Sequence, residues 1–482
     1  MGRTELSRPV ALAIEDQLLS PRSSVLDYGC GRGADVRALT ALGIDTVGWD
    51  PAYASTEPKR PSDIVNLGFV INVIENPRER ANTLQTAYAL SSRLFIVSAR
   101  MRWERQADRL KPHGDGDVTT SGTFQKFYDQ EELRSWIDAT LTVSSIAAAP
   151  GIFYIFHEEP EAQAFLARRF LRGTTTPSVA VSKRLVAQHG NRLQPLVDFY
   201  AAHSRVPSPD EYDARFEEIL SLFGSLKRAF RIIQKATPAE TWEWARLRRT
   251  RDLLVFGALS AFERQTRFAD LPLPLRLDIR GLFGSFKQLR GEARSLLFMA
   301  GDPDALHLAF QASTVGKLTP NALYIHTAYL THLPPLLRIY EGCATRLAGT
   351  IEDGDIIKLH RHKPAVSYLS YPRFNRDPHP ELKRSTLVNL QHLTIHQRSY
   401  QQSTNPFILH RKETFVGEDY RLYNCFRRLT RQEERFELLN TTRPIGTRSD
   451  WLALLEERGL TLRGHRIETA SLPVDTTPPL NK

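Results

Sequence analysis

One stretch near the N-terminus, VLDYGCGRGADV (residues 25–36), predicts how the first third of the chain folds. An apolar run leads into three glycines within five residues, and a segment of helical character follows. Glycine lets the backbone turn sharply and approach a ligand closely, because it has no side chain. The order of strand, glycine loop and helix is typical of an α/β domain that holds a nucleotide-like cofactor at the loop.

The segments after the glycine loop continue this alternation. Apolar runs at 45–50, 63–74 and 93–99 predict strands, the second of which turns helical near its end. Two β-like runs joined by a Pro-Gly pair at 150–151 predict a closing antiparallel hairpin. Strands that alternate with helices favour a parallel sheet. Residues 1–157 are therefore expected to form a Rossmann-like α/β domain with a mostly parallel sheet.

The remainder of the chain has a different composition. Residues 158–310 are rich in Arg and Leu and predict a helical region. Residues 311–470 carry dense His, Arg and Tyr and predict a mixed α+β basic region, while 471–482 predict a disordered tail. We therefore expect three structured parts followed by a short flexible end.

Cysteine usage and hydropathy indicate the compartment. Cys30, Cys343 and Cys425 are far apart and no two have metal-ligand spacing, which predicts reduced thiols and no metal site. The sequence has no apolar run long enough to span a bilayer, and its N-terminus lacks signal-peptide features. We expect a cytoplasmic protein without a membrane partner.

Three cofactors compete for the glycine loop. A nucleoside triphosphate is disfavoured because the Lys-Ser/Thr of a phosphate-binding loop is absent. A dinucleotide remains open, since Gly29, Gly31 and Ala34 fit its fingerprint. S-adenosylmethionine is favoured, because Asp27 would repel a pyrophosphate but suits an ammonium and a sulfonium. Asp50, at the end of the second predicted strand, is expected to accept hydrogen bonds from both ribose hydroxyls. The predicted S-adenosyl-L-methionine contacts are Asp27, Gly29, Gly31, Gly33, Asp50 and Asn66.

Longer phrases of the sequence carry a family resemblance. LDYGCGRGADV, GTFQKFYDQEEL, HSRVPSPDEY, KLHRHKPAVSYLSYPRF and IGTRSDWLALLEERGLTLRGHRI resemble the bacterial methyltransferase-like proteins associated with DNA phosphorothioation gene clusters. The resemblance covers nearly the whole chain. It implies a class I methyltransferase-like fold and a role near a DNA sulfur-modification system used in phage defence. It does not imply a particular substrate.

The sequence also departs from DNA methyltransferases. The interval between Asp50 and Asp63 leaves little room for the helix and third strand that normally help to hold the adenine. The Asn/Asp-Pro-Pro-aromatic motif of amine methylation is absent after the strand at 63–74, and so is a cysteine nucleophile. Three hypotheses stay open: methylation of DNA or of a phosphorothioation component, a DNA-binding or regulatory component without transfer activity, and methylation of a small molecule, RNA or protein.

Charge is distributed unevenly along the chain. Residues 1–157 hold 17 Lys and Arg against 19 Asp and Glu, whereas the whole chain has a net charge of +10, so the remainder carries +12. Such an excess suits a polyanion such as DNA, and it is equally compatible with simple solubility. The candidate nucleic-acid contacts are Arg100, Arg102, Trp103, Lys111, His113, Lys126, His360, Arg361, His362, Lys363, His410, Arg411 and Lys412.

Catalytic candidates follow the third predicted strand, where parallel sheets place the acceptor. Asn72 or Glu75 is positioned to hydrogen-bond the nucleophile or take its proton. The alternative for Glu75 is a place in the turn before the next helix. Methyl transfer needs mainly positioning, so a strong catalytic signature is not required.

Overall fold

The computed structural model describes residues 6–105, 110–170, 190–262, 266–351, 354–440 and 443–469. The chain divides into two compact units. The first unit comprises Met1–Ala309, Pro334–Thr350 and Asn389–Ile395, and the second comprises Phe310–Leu333, Ile351–Val388 and His396–Lys482. The tail predicted at 471–482 lies outside the described residues.

Two sheets organise the first part of the chain. Its strands are β1 (Ser24–Tyr28), β2 (Asp45–Trp49), β3 (Ser62–Gly68), β4 (Ser91–Ser98), β5 (Leu110–His113), β6 (Gly116–Thr119), β7 (Phe124–Gln125), β8 (Ile146–Ala149) and β9 (Ile152–Phe156). The main sheet has the order β2-β1-β3-β4-β9-β8, and β5-β6-β7 form a small separate sheet. β1 to β4 are parallel, while β9 runs antiparallel to β4 and β8. This confirms the mostly parallel sheet and its closing hairpin.

Helices follow the strands and then continue alone. They are α1 (Arg8–Glu15), α2 (Ala34–Ala41), α3 (Pro77–Ala89), α4 (Gln130–Leu141), α5 (Glu159–Phe170), α6 (Gln194–His203), α7 (Ala214–Phe223), α8 (Leu226–Ala236), α9 (Ala239–Leu259), α10 (Leu273–Phe283), α11 (Phe286–Met299), α12 (Pro303–Gln311) and α13 (Pro335–Ala348). Local sequence sets where several begin. Asn76 starts α3 by accepting hydrogen bonds from the amides of Arg78 and Glu79, and Pro77 takes the first helical position, where no amide is needed.

The main sheet is covered on both faces. Alternate residues of each strand enter opposite cores: Val25 packs with α1 and α5 residues, and its neighbour Leu26 packs with α3 and α4 residues. Both side chains are at most 1% exposed. Central parallel strands are therefore apolar on both sides, which explains why their sequences are continuous apolar runs.

The edge strand β8 is protected by later parts of the first unit. Arg169 donates to the Ala147 carbonyl at 2.6 Å and to the Ala148 carbonyl at 2.9 Å. The Thr350 amide also donates to the Ala148 carbonyl, at 2.8 Å. An uncovered edge leaves backbone groups free to pair with another chain, so these contacts close one side of the sheet.

A buried charge cluster ties the helical part together. Asp278 in α10 is fully buried and accepts hydrogen bonds from Arg205 Nε at 2.7 Å, from Arg249 and from His203 Nδ1 at 3.0 Å. Removing one partner of a buried ion pair is costly, because the remaining charge loses its compensation. Asp278 thus links α6, α9 and α10 to the loop that holds Arg205.

The second unit is mixed α+β. Its strands β10 (Lys317–Leu318), β11 (Ala322–His326), β12 (Ile356–His360), β13 (Ala365–Ser370), β14 (Arg384–Asn389) and β15 (Thr394–Ser399) form one sheet in sequential order. α14 (Tyr423–Arg435), α15 (Arg448–Glu457) and a hairpin of β16 (Leu460–Arg463) and β17 (Arg466–Thr469) follow. Their shared core includes Leu429, Trp451 and Leu454.

Two further expectations are settled by the fold. Residues 51–61 form turns between β2 and β3, as the short interval between Asp50 and Asp63 predicts. The helical end expected for the segment 63–74 is wrong, because β3 is followed by a turn at 71–73. None of the helices in the described part of the chain combines the length and the apolar character needed to cross a membrane.

The contact that covers β8 predicts a stability difference between two glycines. Gly349 and Gly43 share a φ of +78°, but a Cβ on Gly349 would lie 2.4 Å from the Ala149 nitrogen, whereas nothing lies within 4 Å of one on Gly43. Gly43→Ala should cost about 1–2 kcal/mol from backbone strain. Gly349→Ala should cost a further ~1–3 kcal/mol, because backbone atoms must move and because its ψ of −164° lies in a region that is essentially restricted to glycine. Urea denaturation monitored by circular dichroism measures both, and equal midpoints would contradict the tight packing against β8.

Candidate functional site

The direction of the chain across the sheet changes at β1. β2 lies on one side of β1 and β3 lies on the other, so the loops after β1 and β3 diverge. A crevice opens at such a point, outside the carboxyl ends of the strands, and it is where open α/β sheets bind ligands. This geometry directs attention to the glycine loop after β1 and the turn after β3.

A cleft of about 490 Å³ occupies this position. We call it the switch-point cleft, and its walls comprise Ser7, Asp27, Gly29, Cys30, Gly31, Arg32, Ala34, Asp35, Asn66, Gly68, Phe69, Arg100 and Glu104. Asp27, Gly29, Gly31, Asn66 and Arg100 are among the residues that the sequence predicts for ligand contact. The structure thus brings together most of the predicted cofactor residues and one predicted cation.

The glycine loop depends on residues without side chains. Gly29 has a φ of +86°, and a Cβ there would lie 2.3 Å from Val70 Cγ2. Its amide and that of Cys30 both donate to the Trp49 carbonyl at the end of β2. Gly31 and Gly33 also have positive φ, and Gly33 directly precedes α2. The loop is therefore held against β2 and β3 in a conformation that favours glycine.

Asp50 organises this loop from the end of β2. Its Oδ2 accepts a hydrogen bond from the Gly31 amide at 3.0 Å, and its Oδ1 accepts from the amides of Ala52 and Tyr53 at 2.8 and 3.0 Å. A carboxylate offers about four acceptor sites. Three backbone amides already donate to this carboxylate, and its contact with the ribose hydroxyls stays a prediction.

A buried polar pair marks the floor of the cleft. Asn66 Nδ2 donates to Asp27 Oδ1 at 2.8 Å, and the two residues are paired in the register of β1 and β3. They are 2% and 5% exposed. Asn66 Oδ1 has no hydrogen-bond partner within the described residues. A buried acceptor without a donor costs about 1–3 kcal/mol, so this site fits a ligand that brings an N–H or O–H group.

Both signs of charge meet around this pair. Arg32 and Arg100 line the cleft, as do Asp27, Asp35 and Glu104, and the N-terminus of α2 adds a partial positive charge. The Arg100 guanidinium lies 4.0 Å from the Glu104 carboxylate, and both side chains are well exposed. A cleft that holds both signs of charge suits a zwitterion better than a polyanion.

Sequence reasoning missed several wall residues. Phe69 lies directly after β3 with a φ of +58°, a conformation that non-glycine residues rarely adopt. Its amide donates to the Ser98 carbonyl at 3.0 Å, which fixes the turn. Strained residues of this kind cluster at functional sites, but no sequence signal marks a phenylalanine for it. Ser7, Arg32 and Glu104 were equally unmarked.

The turns that replace a third strand cover aromatic residues. Lys59 Nζ lies 3.8 Å from the centre of the Trp49 ring and donates to the Tyr28 hydroxyl at 3.1 Å. Tyr28 and Trp49 contact each other with ring centres 4.7 Å apart. A cation over an aromatic face is stabilising. This segment therefore packs its own side chains where the sequence leaves no room for a helix and strand.

The two catalytic candidates occupy different environments. Asn72 is 1% exposed, and its carbonyl accepts a hydrogen bond from the Lys126 amide at 2.7 Å. The Asn72 side-chain Oδ1 is buried and has no hydrogen-bond partner within the described residues, and the catalytic role of Asn72 stays a prediction. The Glu75 side chain is 64% exposed and lines a neighbouring cleft of about 720 Å³. Glu75 Oε1 lies 2.8 Å from His113 Nε2, so these two predicted residues form a polar pair at the surface.

Two other predicted nucleic-acid contacts of the first unit form ion pairs with acidic side chains. Lys126 Nζ lies 3.1 Å from Asp115 and 3.0 Å from Glu132, and Arg102 Nε lies 2.8 Å from Asp129. The hydrogen bond from Arg80, together with Lys126, lowers the pKa of Asp115 to about 2 despite its partial burial. Lys111 is exposed and Trp103 is half-buried. The nucleic-acid role of these residues stays a prediction.

The basic signatures of the second unit are partly buried. Lys412 is 2% exposed and donates to the carbonyls of Phe374 and Asp377, and His360 is 9% exposed with Nε2 2.9 Å from Ser367 Oγ. This burial contradicts the prediction that the side chains of Lys412 and His360 are surface contacts to nucleic acid. The remaining members are exposed or half-buried: Arg361, His362, Lys363, His410 and Arg411.

Comparison with known proteins agrees with this α/β architecture. Residues 3–140 match the family model of a methyltransferase domain. This part of the chain has the class I methyltransferase-like α/β fold, with a helical and α+β remainder. No curated relative matches the sequence.

Solved structures with similarity to the chain are also methyltransferases. A sugar N-methyltransferase from Streptoalloteichus sp. is 12% identical, with a TM-score of 0.25, over 31% of this chain and 85% of its own. The 1,6-didemethyltoxoflavin-N1-methyltransferase of Burkholderia thailandensis, solved with S-adenosylhomocysteine, is 15% identical, with a TM-score of 0.24, over 31% of this chain and 76% of its own. An amino pentose methyltransferase from Micromonospora echinaspora is 14% identical, with a TM-score of 0.23, over 31% of this chain and 90% of its own.

Cys30 provides a pH-dependent probe of the switch-point cleft. Burial, and then the charges of Asp27 and Asp50, raise the pKa of its thiol from 9.0 to about 11. At pH 8 the reactive thiolate should therefore be about 100-fold scarcer than in the unfolded chain. Iodoacetamide labelling of Cys30 in a Cys343→Ser/Cys425→Ser background should accelerate up to about pH 11. A plateau at or below pH 9 would show that burial and the two carboxylates do not raise the pKa of the thiol.

Proposed function

We propose that the switch-point cleft binds S-adenosyl-L-methionine and that the first unit transfers its methyl group. The observation that carries this proposal is the buried Asp27–Asn66 pair: both residues line the switch-point cleft beside a glycine loop of fixed conformation, and Asn66 Oδ1 has no hydrogen-bond partner within the described residues. The match of residues 3–140 to a methyltransferase domain supports it. When bound, this cofactor supplies an electrophilic methyl group on a sulfonium that leaves readily.

Different residues of the cleft would recognise different groups of such a ligand. Asn66 Oδ1 would accept a hydrogen bond from the ligand's ammonium group, and the Asp27 carboxylate favours that positive charge. Arg100 and the N-terminus of α2 favour the ligand's carboxylate. Asp50 would hold the glycine loop in shape and accept from one ribose hydroxyl. The protein's main contribution is thus binding and orientation.

Methyl transfer also requires a base that takes a proton from the substrate group that receives the methyl. Glu75 is the candidate, because its carboxylate is exposed in a cleft after β3 and is paired with His113. General bases act within hydrogen-bond reach of the proton they remove. We propose that the acceptor group enters from the side of Glu75 and His113.

We further propose that the methyl acceptor is DNA or a component of a DNA phosphorothioation system in a bacterial phage defence, acting in the cytoplasm. The family resemblance of the sequence supports this proposal, and so does the net charge of +12 outside residues 1–157. Arg102, Lys111, His362 and Lys363 are the exposed basic residues that would contact phosphate.

A second function has an observation in its favour. A DNA-binding or regulatory component without transfer activity would tolerate the loss of cofactor contacts around the adenine. The packing of Lys59 on Trp49 and the engagement of Asp50 by backbone amides are the features that favour it.

Isothermal titration distinguishes cofactor binding from its absence. The full chain should bind S-adenosylmethionine in the micromolar range and should not bind NAD. Asp27→Asn should weaken binding by about tenfold or more, because the charge that favours the ammonium is lost. Asp45→Asn is the matched control, since Asp45 is exposed at the opposite end of the strands. Failure to bind, or equal affinity of the two variants, would refute the cofactor site.

Methyl transfer needs its own assay. Tritium from labelled cofactor should appear in DNA, with separate arms for phosphorothioated and unmodified duplexes. Glu75→Gln should lower the rate without changing cofactor affinity. Tight cofactor binding with no transfer to any arm would instead support the regulatory alternative.

A further inference from the structure

Three polar side chains converge in the interior of the second unit. His379, His410 and Glu433 each offer one ligand atom, and these atoms all lie within 4.8 Å of one another. The imidazole centres of His379 and His410 are 4.6 Å apart, and His379 Nε2 lies 2.5 Å from Glu433 Oε1. The three residues come from separate segments of the chain, which the fold brings together.

The burial of this cluster makes it unusual. The Glu433 residue is fully buried, and the His379 side chain is 6% exposed. One wall is the indole of Trp451, whose ring centre lies 4.7 Å from each imidazole. This burial limits the hydrogen bonds that bulk water supplies to these groups.

Each of the three residues retains an unsatisfied atom. His379 Nδ1, His410 Nδ1 and Glu433 Oε2 are buried and have no hydrogen-bond partner within the described residues. An unmet buried polar atom costs about 1–3 kcal/mol, and three in one cluster are hard to explain as packing alone. A single bound cation would satisfy lone pairs on all three residues at once.

The hydrogen bonds that do exist prepare the imidazoles for this role. His410 Nε2 lies 2.8 Å from the Ile445 carbonyl oxygen, which can only accept, so Nε2 carries the proton. In a neutral ring the lone pair is then on Nδ1. Metal-ligating histidines characteristically donate their other N–H to a backbone carbonyl or a carboxylate. His410 has the carbonyl partner. The contact between His379 Nε2 and Glu433 Oε1 joins two of the ligand candidates themselves, and a bound ion would take the place of the proton between them.

The nearest ammonium group is engaged elsewhere. Lys412 Nζ donates to the carbonyls of Phe374 and Asp377 at 2.8 and 2.5 Å, and it lies 3.2 Å from His465 Nε2. No Lys or Arg among the described residues forms an ion pair with Glu433. The carboxylate therefore sits in the interior without a side-chain cation bonded to it.

We propose that His379, His410 and Glu433 bind a divalent first-row transition-metal ion. Two imidazole nitrogens and one carboxylate oxygen suit zinc and its neighbours, whereas magnesium and calcium prefer oxygen alone. Three protein ligands leave at least one coordination position for water or a ligand, as in sites that act on a substrate. His379 also lines a cleft of about 460 Å³, which gives an ion a route from solvent.

Metal binding by the full chain tests this proposal directly. The tag-free protein is stripped with a chelator, dialysed against Zn²⁺ or Co²⁺, and its metal content is measured by mass spectrometry. We expect one ion per chain in the wild type. His379→Ala and Glu433→Gln should each weaken binding by about tenfold or more, whereas the exposed-histidine variant His396→Ala should bind as the wild type does.

A spectroscopic measurement keeps the proposal testable if the buried variants fail to fold. X-ray absorption of the zinc-loaded wild type should show nitrogen and oxygen neighbours that include imidazole. Sulfur neighbours, no bound metal in the wild type, or full binding by a folded Glu433→Gln variant would each overturn the site. Titration with S-adenosylmethionine on the same samples reports the switch-point cleft separately.

Discussion

A parallel sheet has two apolar faces, and both must be covered for the first unit to fold. Val25 and Leu26 are adjacent in β1, yet they enter different cores. The chain meets this constraint with α1 and α5 on one face and α3 and α4 on the other. The same arrangement leaves the carboxyl ends of β1 and β3 uncovered. The chain passes from β1 to β2 toward one edge of the sheet and from β3 to β4 toward the other edge. The switch-point cleft is thus a consequence of how the sheet is covered.

Within that cleft, backbone and side chains have separate tasks. Asp50 and the Trp49 carbonyl fix the shape of the glycine loop, while Asp27 and Asn66 present polar groups at its floor. The acids are positioned by strand ends and by the register of β1 with β3. A ligand is therefore met by a preformed surface, which reduces the ordering needed on binding.

Local patterns allowed much of this region to be predicted from sequence. The glycine spacing, Asp27 and the short interval before Asp63 are all features of the local sequence. The fold class could be predicted from them. The partners of Lys126 and the burial of Lys412 could not be predicted, because both depend on contacts between distant segments. From sequence alone, a run of Lys and Arg is expected at the solvent-exposed surface. Only tertiary packing shows which of its side chains are buried.

The second unit shows the same limit more strongly. His410 attracted attention in the sequence as part of a basic run, but His379 and Glu433 carried no signal. Metal ligands are recognisable when they lie at short fixed spacings. Here the relevant proximity arises from a loop, an extended segment and α14, so only the folded chain reveals it.

The covering of β8 has a consequence for how this protein can be divided. The carbonyls of Ala147 and Ala148 receive hydrogen bonds from Arg169 and Thr350, which follow the sheet in sequence. A fragment ending after β9 would retain every strand of the main sheet but lose both of these donors. Its edge strand β8, IAAA, would then be an apolar open edge, which is a template for self-association. Arg169 and Thr350 therefore shield this edge of the sheet from pairing with another strand.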